Sequence, residues 1–382
     1  MTIKVTAICS SEATLAALDA PDPARTGMVF TAQTGSVHTL ASVLLRDHPD
    51  VALLELPEAD EQAMELIEVA LIKEPGAHIV LVSPDRSVEF MKRAMRAGVR
   101  EVVPAPLTPK IVRQSIANLH RELLGKVLAM VPAKGGAGAT FLATNLAYAL
   151  SRQGKRVAVL DLNLYFGDAA IFLGDKKVVS SLVDLARQSQ RLDSSLLNSS
   201  MIKVSESLHL LGASESPEDA SEVSTAAVER IIELARCSYD FVLLDVSATL
   251  DQIAIKALDM ADTIYLTLQL NLPFVRAAKD MAAVFRQLGY SSEKLSVIVN
   301  RYEKGDTISL GDVETATLLK IGRTIPNSHI AASASVNQGI PILQMAPRDP
   351  VTRALLAWAQ ELAPGAVEPN KGWWQQLMSP SS

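Results

Sequence analysis

A chain of 382 residues, 48% hydrophobic and 20% charged, can bury more than one core, which excludes a disordered or collagen-like polymer. Aromatic residues are only 4%, so the core must be aliphatic, as when helices cover Val/Ile/Leu strands. A net charge of −6 argues against a broad electropositive nucleic-acid face, and the two cysteines, Cys9 and Cys237, supply neither a disulfide framework nor metal-ligand spacing. Along the first part, short apolar runs at Ile3–Ile8, Val51–Leu56, His78–Val82 and Arg100–Val103 predict strands. Glu58–Lys73 places Met64, Ile67, Ala70 and Leu71 at helical spacing, and Val88–Ala97 does so with Met91, Ala94 and Met95. Asp19–Gly27 (DAPDPARTG) reads as a turn-rich loop, and a helix is expected over about Lys110–Leu124.

The second part repeats this alternation on a larger scale. Strands are predicted at Lys126–Val131, Val157–Leu160, Leu208–Leu211, Phe241–Leu244, Ile264–Leu268 and Leu295–Val299. Helices are predicted near Ala139–Gln153, Ala226–Cys237, Leu272–Leu288 and Thr352–Leu362, while the Ser-rich run Ser194–Ser200 reads as a loop. Alternating strands and helices imply parallel pairing through right-handed crossovers. The expected architecture is α/β with two doubly wound domains, 1–123 and 124–364, and a flexible tail over 365–382. The opening MTIKVTAICSSEATL lacks a basic region followed by a long apolar run, so no signal peptide is expected, and no apolar run approaches the ~18 residues of a membrane-spanning helix. A cytoplasmic location follows as an expectation.

The most informative stretch is Lys134-Gly135-Gly136-Ala137-Gly138-Ala139-Thr140, set between a predicted strand and a predicted helix. Glycines there let backbone N–H groups approach an anion, and the helix N-terminus adds its positive dipole end. The strict G-x-x-x-x-G-K-[ST] pattern fails because Ala139 holds the lysine position, while Lys134 stands just before the glycines.

KGGAGATFLATNLAYALSRQGKRVAVLDLN resembles the deviant phosphate loop of the MinD/ParA group of P-loop ATPases. The resemblance implies that Lys134 is the signature lysine that reaches a partner's phosphates in a nucleotide-sandwich homodimer. Tyr239–Asp245 (YDFVLLD) resembles the Walker B strand, Asn300-Arg301-Tyr302 the adenine-side segment, and Ser335–Pro341 (SVNQGIP) the late loop leading into a helix. The implied ligand is ATP or ADP with Mg2+, held by Lys134, Gly135, Gly136, Ala137, Gly138, Ala139, Thr140, Asp161, Asp245, Asn300 and Arg301. Thr140 and Asp245 are the implied metal-supporting pair. Two departures fall on the chemistry: Ala139 replaces the loop lysine, and Asn163, in LDLNLYFGD, replaces the acid that orients water. A carboxylate can accept water's proton and an amide cannot, so a degenerate, non-hydrolysing relative is expected.

In the first part, Asp50–Pro57 (DVALLELP) resembles strand three of a two-component receiver domain, with Glu55 at the phospho-acceptor position. Ser83 resembles the receiver's hydroxyl switch residue, Ala105 stands where a lysine would, and Cys9 and Ser10 replace the acidic pair that holds magnesium. Without that metal site, phosphotransfer is not expected, and the domain reads as an atypical receiver-like interaction module.

A degenerate receiver-like domain joined to a deviant MinD/ParA-type domain resembles the TadZ/CpaE group, assembly proteins of the Flp-type (Tad) pilus. That resemblance implies a dimeric localisation scaffold at a cell pole or peripheral to the inner membrane. Its implied partners are the pilus secretion ATPase and other Tad assembly proteins. An active positioning ATPase and a receiver-based signalling regulator are the competing expectations. Trp373 and Trp374 lie in a tail segment suited first to packing on the protein itself, then to a partner, and last to a membrane surface, because only Lys371 is basic there. The histidines show no pairing at metal-ligand spacing.

Overall fold

The computed structural model describes residues 3–10, 12–19, 28–57, 61–106, 108, 124–174, 180–214 and 216–364. The expected helix over about Lys110–Leu124, most of the Asp19–Gly27 loop and the tail with Trp373 and Trp374 fall outside the described residues, Asp19 and Leu124 excepted. The chain divides into two compact units, Met1–Leu123 and Leu124–Ser382.

Among its described residues the first unit has five parallel strands, β1 (Ile3–Cys9), β2 (Met28–Thr34), β3 (Val51–Glu55), β4 (His78–Ser83) and β5 (Glu101–Pro104). Their order is β2-β1-β3-β4-β5, the flavodoxin-like doubly wound order. Helices Glu12–Asp19, Val37–Asp47, Glu61–Lys73 and Val88–Arg96 alternate with them. Ser87 starts the last of these by accepting the Phe90 N–H at 3.2 Å. Its buried face is Phe90 and Ala94, whereas Met91 and Met95, expected on the apolar stripe, are exposed. The aromatic ring wins the core position, because it removes more apolar surface from water than either methionine.

Among its described residues the second unit carries eight strands: β6 (Lys126–Pro132), β7 (Val157–Asp161), β8 (Ile202–Lys203), β9 (Leu208–Leu211), β10 (Phe241–Asp245), β11 (Thr263–Leu268), β12 (Leu295–Tyr302) and β13 (Ile321–Pro326). Their order is β13-β12-β11-β6-β10-β7-β9-β8, and every pairing is parallel except β8 with β9. β6 lies between β10 and β11, so the chain leaves it in opposite directions, and a crevice opens beyond its carboxyl end. β7 and β10 are buried along their whole length, which is why their sequences are continuous apolar runs closed by an aspartate. Ser194–Ser200 is a helix and not the expected loop. Asp193 caps it by accepting the Leu196 N–H at 2.8 Å, and Leu197 is buried beneath it, so a good cap and one core anchor outweigh weak serine propensity.

On the face covered by the helix Ala139–Arg152, the helix Pro350–Leu362 sends Trp358 into the core. Trp358 is 1% exposed, meets Tyr265 edge-on at 5.0 Å and carries the Arg323 guanidinium 5.3 Å from its ring. Replacing Trp358 with alanine is expected to cost the second unit about 3–5 kcal/mol in chemical denaturation. A loss under ~1 kcal/mol would show that this helix contributes little to the core.

Candidate functional site

The site begins where β6 ends. Residues 133–138 turn from the strand into the helix Ala139–Arg152, and Gly136 and Gly138 sit at φ +85° and +94°. Any other residue is strained there, and a Cβ on Gly138 would also run into the Asn300 amide. Two side chains brace the turn from neighbouring strand ends. Gln269 Nε2 donates to the Gly136 carbonyl at 2.8 Å, and Asn300 Nδ2 donates to the Ala137 carbonyl at 2.8 Å. Both carbonyls are thereby held by side chains of other strands, and the helix presents its N-terminus to the crevice.

The crevice is a cavity of about 660 Å³, large enough for a nucleotide-sized ligand. Gly135–Thr140, Asn163, Asp168, Asn300 and Arg301 line it, so most of the expected site residues are brought together. Lys134 is exposed, and Ala139 is 4% exposed, its methyl packed in the core where the loop lysine is expected. Asn300, on the expected adenine-side segment, donates its amide to the loop, and its Oδ1 accepts the Arg301 N–H at 3.0 Å. Sequence reasoning missed Gln269, which stands 133 positions from its partner and carries no local signal.

Asp161 and Asp245 end neighbouring strands at the same register. Both are buried, at 1% and 2% exposure. Asp161 accepts the Asn163 and Ala169 N–H groups at 3.1 Å each. Burial nevertheless pushes its carboxyl up to about 7, with the Asp168 charge adding to the rise. Asp245 is pushed well above the ordinary carboxylate range by burial and then by Asp161. The Thr140 side chain faces Asp245, whose Oδ2 is buried without a hydrogen-bond partner among the described residues. Two buried carboxylates, one unpartnered oxygen and a hydroxyl form an oxygen donor set that suits a hard divalent cation. Thr140 and Asp245 would hold such an ion beside phosphates, where it would neutralise developing charge.

Asn163 serves its own turn. Its Nδ2 donates to the Phe166 carbonyl at 2.7 Å, and its carbonyl accepts the Phe166 N–H at 3.2 Å. The turn leaves Tyr165 and Phe166 exposed at 49% and 77%, with Phe166 at the cavity wall.

A family model described as an AAA domain matches residues 125–294. The septum site-determining protein MinD of Thermotoga maritima is 26% identical over 225 residues, 57% of this chain and 81% of that protein. MinD of Escherichia coli K12 is 24% identical over 233 residues, 58% and 84% of the two chains. A ParA family ATPase from Chlorobium tepidum superposes with TM-score 0.59 and 27% identity, over 61% of this chain and 98% of that one. The second unit carries the MinD/ParA-type P-loop fold. Pyrococcus horikoshii MinD complexed with Mg-ADP shares this fold with TM-score 0.55 at 20% identity, over 63% and 97% of the chains. The MinD/ParA-type unit thus keeps the glycine turn and the strand-end aspartates while lacking the loop lysine.

The carboxyl ends of the first unit's strands hold a different cluster. Glu55 is buried, and its Oε2 accepts Ser10 N–H at 2.9 Å and Ser10 Oγ–H at 2.7 Å, while Oε1 accepts from Thr14 Oγ1 at 3.2 Å. Cys9 beside it is buried, its thiol pushed up to about 11 by burial and the Glu55 charge. Ser83 Oγ accepts the Asp85 N–H at 3.2 Å. Glu55 is satisfied by hydroxyl and amide donors without any metal. Acetyl phosphate is therefore expected to leave the protein's intact mass unchanged. A stable adduct of about +80 Da, lost on mutating a front-unit carboxylate, would overturn this.

Proposed function

We propose that this chain is a localisation scaffold of the Flp-type (Tad) pilus system, similar to the TadZ/CpaE group. In this reading an atypical receiver-like front domain docks partners, and the MinD/ParA-type unit binds ATP or ADP with Mg2+ and dimerises through it. The observation that carries the reading is an intact phosphate turn in which both expected catalytic positions have been given to other work. Ala139 packs in the core and Asn163 closes a turn, so the site keeps its means of holding phosphates without those of cleaving them. Lys134, exposed at the mouth of the turn, is the charge available to a second copy. The MinC:MinD complex of Aquifex aeolicus, which has the same fold, supports a protein partner for such a unit. Among the described residues, no helix is long and apolar enough to cross a membrane, which agrees with a peripheral role.

Two measurements test this. A fluorescent fusion is expected to form a persistent focus, and deletion of the gene is expected to remove surface pili. A diffuse fusion with normal piliation would overturn the scaffold reading. Sedimentation of wild type and Lys134→Ala, with and without Mg-ATP, tests the nucleotide link. Nucleotide-dependent dimerisation that weakens in Lys134→Ala is expected, because a ligand stabilises the state that binds it best. Identical mass distributions in all four samples would leave only a constitutive scaffold.

A further inference from the structure

We propose that the front unit pairs with a second copy of itself through the outward faces of its helices Glu61–Lys73 and Val88–Arg96, the acidic helix of each copy lying on the basic helix of the other. This rests on no reading of the cavity. β3, β4 and β5 are neighbours in the sheet, and the two helices join them in turn. Ala63, Met64, Ile67 and Ala70 of the first helix and Phe90 and Ala94 of the second fall in one core cluster. The helices therefore cover the same face of the sheet side by side, and right-handed crossovers run them in the same direction.

Away from the core, each helix leaves apolar residues in solvent. On the first, Val69 and Ile72 are 46% and 75% exposed; on the second, Val88 and Met95 are 63% and 59% exposed. Charges of one sign surround each pair. Glu61, Glu65, Glu68 and Ile72 follow one another at helical spacing on one exposed stripe, with Val69 beside it. Val88, Lys92 and Met95 form the corresponding stripe of the second helix, with Arg96 beside it. Among the described residues, none of these three glutamates, Lys92 or Arg96 forms an ion pair. Exposed apolar residues rimmed by charge mark association surfaces. The partner each stripe calls for is a helix of opposite charge with apolar residues of its own, and the neighbouring stripe of a second copy is one. A two-fold axis running parallel to the helices and between them sets each stripe on its counterpart, so the same contact is made twice. An anionic membrane fits less well, since the acidic helix would face it beside the basic one.

Sedimentation equilibrium of the full chain without nucleotide tests this, in a Lys134→Ala background that removes the charge expected to link the second units. A reversible monomer–dimer equilibrium is expected by ~100 µM, as for a small interface. Lys92→Glu/Arg96→Glu makes both stripes acidic and is expected to weaken the dimer about tenfold or more. Glu65→Lys/Glu68→Lys makes both basic and is expected to do the same. Mixing the two variants is expected to restore a dimer, because each then meets opposite charge in both contacts, whereas variants that had failed to fold would not recover. A chain that stays monomeric, charge variants that associate like their parent, or a mixture that stays monomeric would overturn the proposal. So would binding to phosphatidylserine vesicles without self-association, which would give the basic stripe to a membrane surface. Each of these outcomes leaves nucleotide binding by the second unit as it stands.

Discussion

ATP turnover by the purified protein is expected to be no faster than that of a Thr140→Ala/Asp245→Ala variant. Phosphoryl transfer needs its developing charge offset and its attacking water held in line. Removing one preorganised charge donor costs about 10²–10³ in rate, and removing a proton acceptor costs about 10²–10⁴. Here both are absent, which places turnover about four or more orders of magnitude below a complete site. Asn163 does not compensate as a water-positioning amide, since its Nδ2 is already committed to the Phe166 carbonyl. Asp161 is no freer, because both its oxygens accept backbone N–H groups. An Ala139→Lys/Asn163→Asp variant is expected to gain a measurable magnesium-dependent rate. A magnesium-dependent rate in wild type, abolished by Thr140→Ala/Asp245→Ala, would sink the degenerate reading and favour an active positioning ATPase.

What the sequence disclosed about this architecture follows from which strands are buried on both faces. VAVLD at β7 and FVLLD at β10 are legible because every residue is covered, so apolar type alone marks them. MVFTAQT at β2 escapes the same reading. It is an edge strand with Val29 half exposed, and its alternation of apolar and polar residues resembles a loop when only unbroken apolar runs are sought. IGRTIP at β13, also an edge, escapes for the same reason. In the site, the glycine turn and the alanine at the lysine position were legible because spacing within one loop encodes them. The pairing of Asp161 with Asp245 was not, since it depends on β7 and β10 becoming neighbours at a sequence separation of 84. Nor was the use of Asn163 as a turn-closing amide, because the same residue type can hold water or a carbonyl and only the backbone path decides between them.

The buried aspartate pair carries the other large expectation, a stability that falls as pH rises. An unfolded aspartate titrates near 3.9, whereas Asp161 is held up to about 7 by burial and the Asp168 charge, and Asp245 is also raised, by burial and then by Asp161. Between about pH 4 and pH 7 the unfolded chain has therefore released protons that the folded chain still binds. With more protons bound in the native state, the unfolding free energy must decrease with pH. The stabilising contribution is complete below the unfolded value and is lost as pH passes through the folded one. For Asp161 alone the loss amounts to roughly 4 kcal/mol by pH 8. Asp168 stands nearby as a further negative charge, the Thr140 hydroxyl draws Asp245 back only in part, and Ala139 contributes no cation. Asp245→Asn removes one of the two raised carboxyls and its share of the pH dependence. It is expected to flatten the decline and to exceed wild type in melting temperature at pH 8, the reverse of what removing a buried hydrogen-bonded group usually does. Added Mg2+ is expected to raise the wild-type midpoint at pH 8 and to do little for Asp245→Asn, since binding to the native state stabilises by mass action. Thermal unfolding of both proteins from pH 5 to pH 8, with and without Mg2+, reads this directly. A wild-type midpoint that rises with pH over that range would mean the pair is already neutralised by a cation or a proton partner in the native protein.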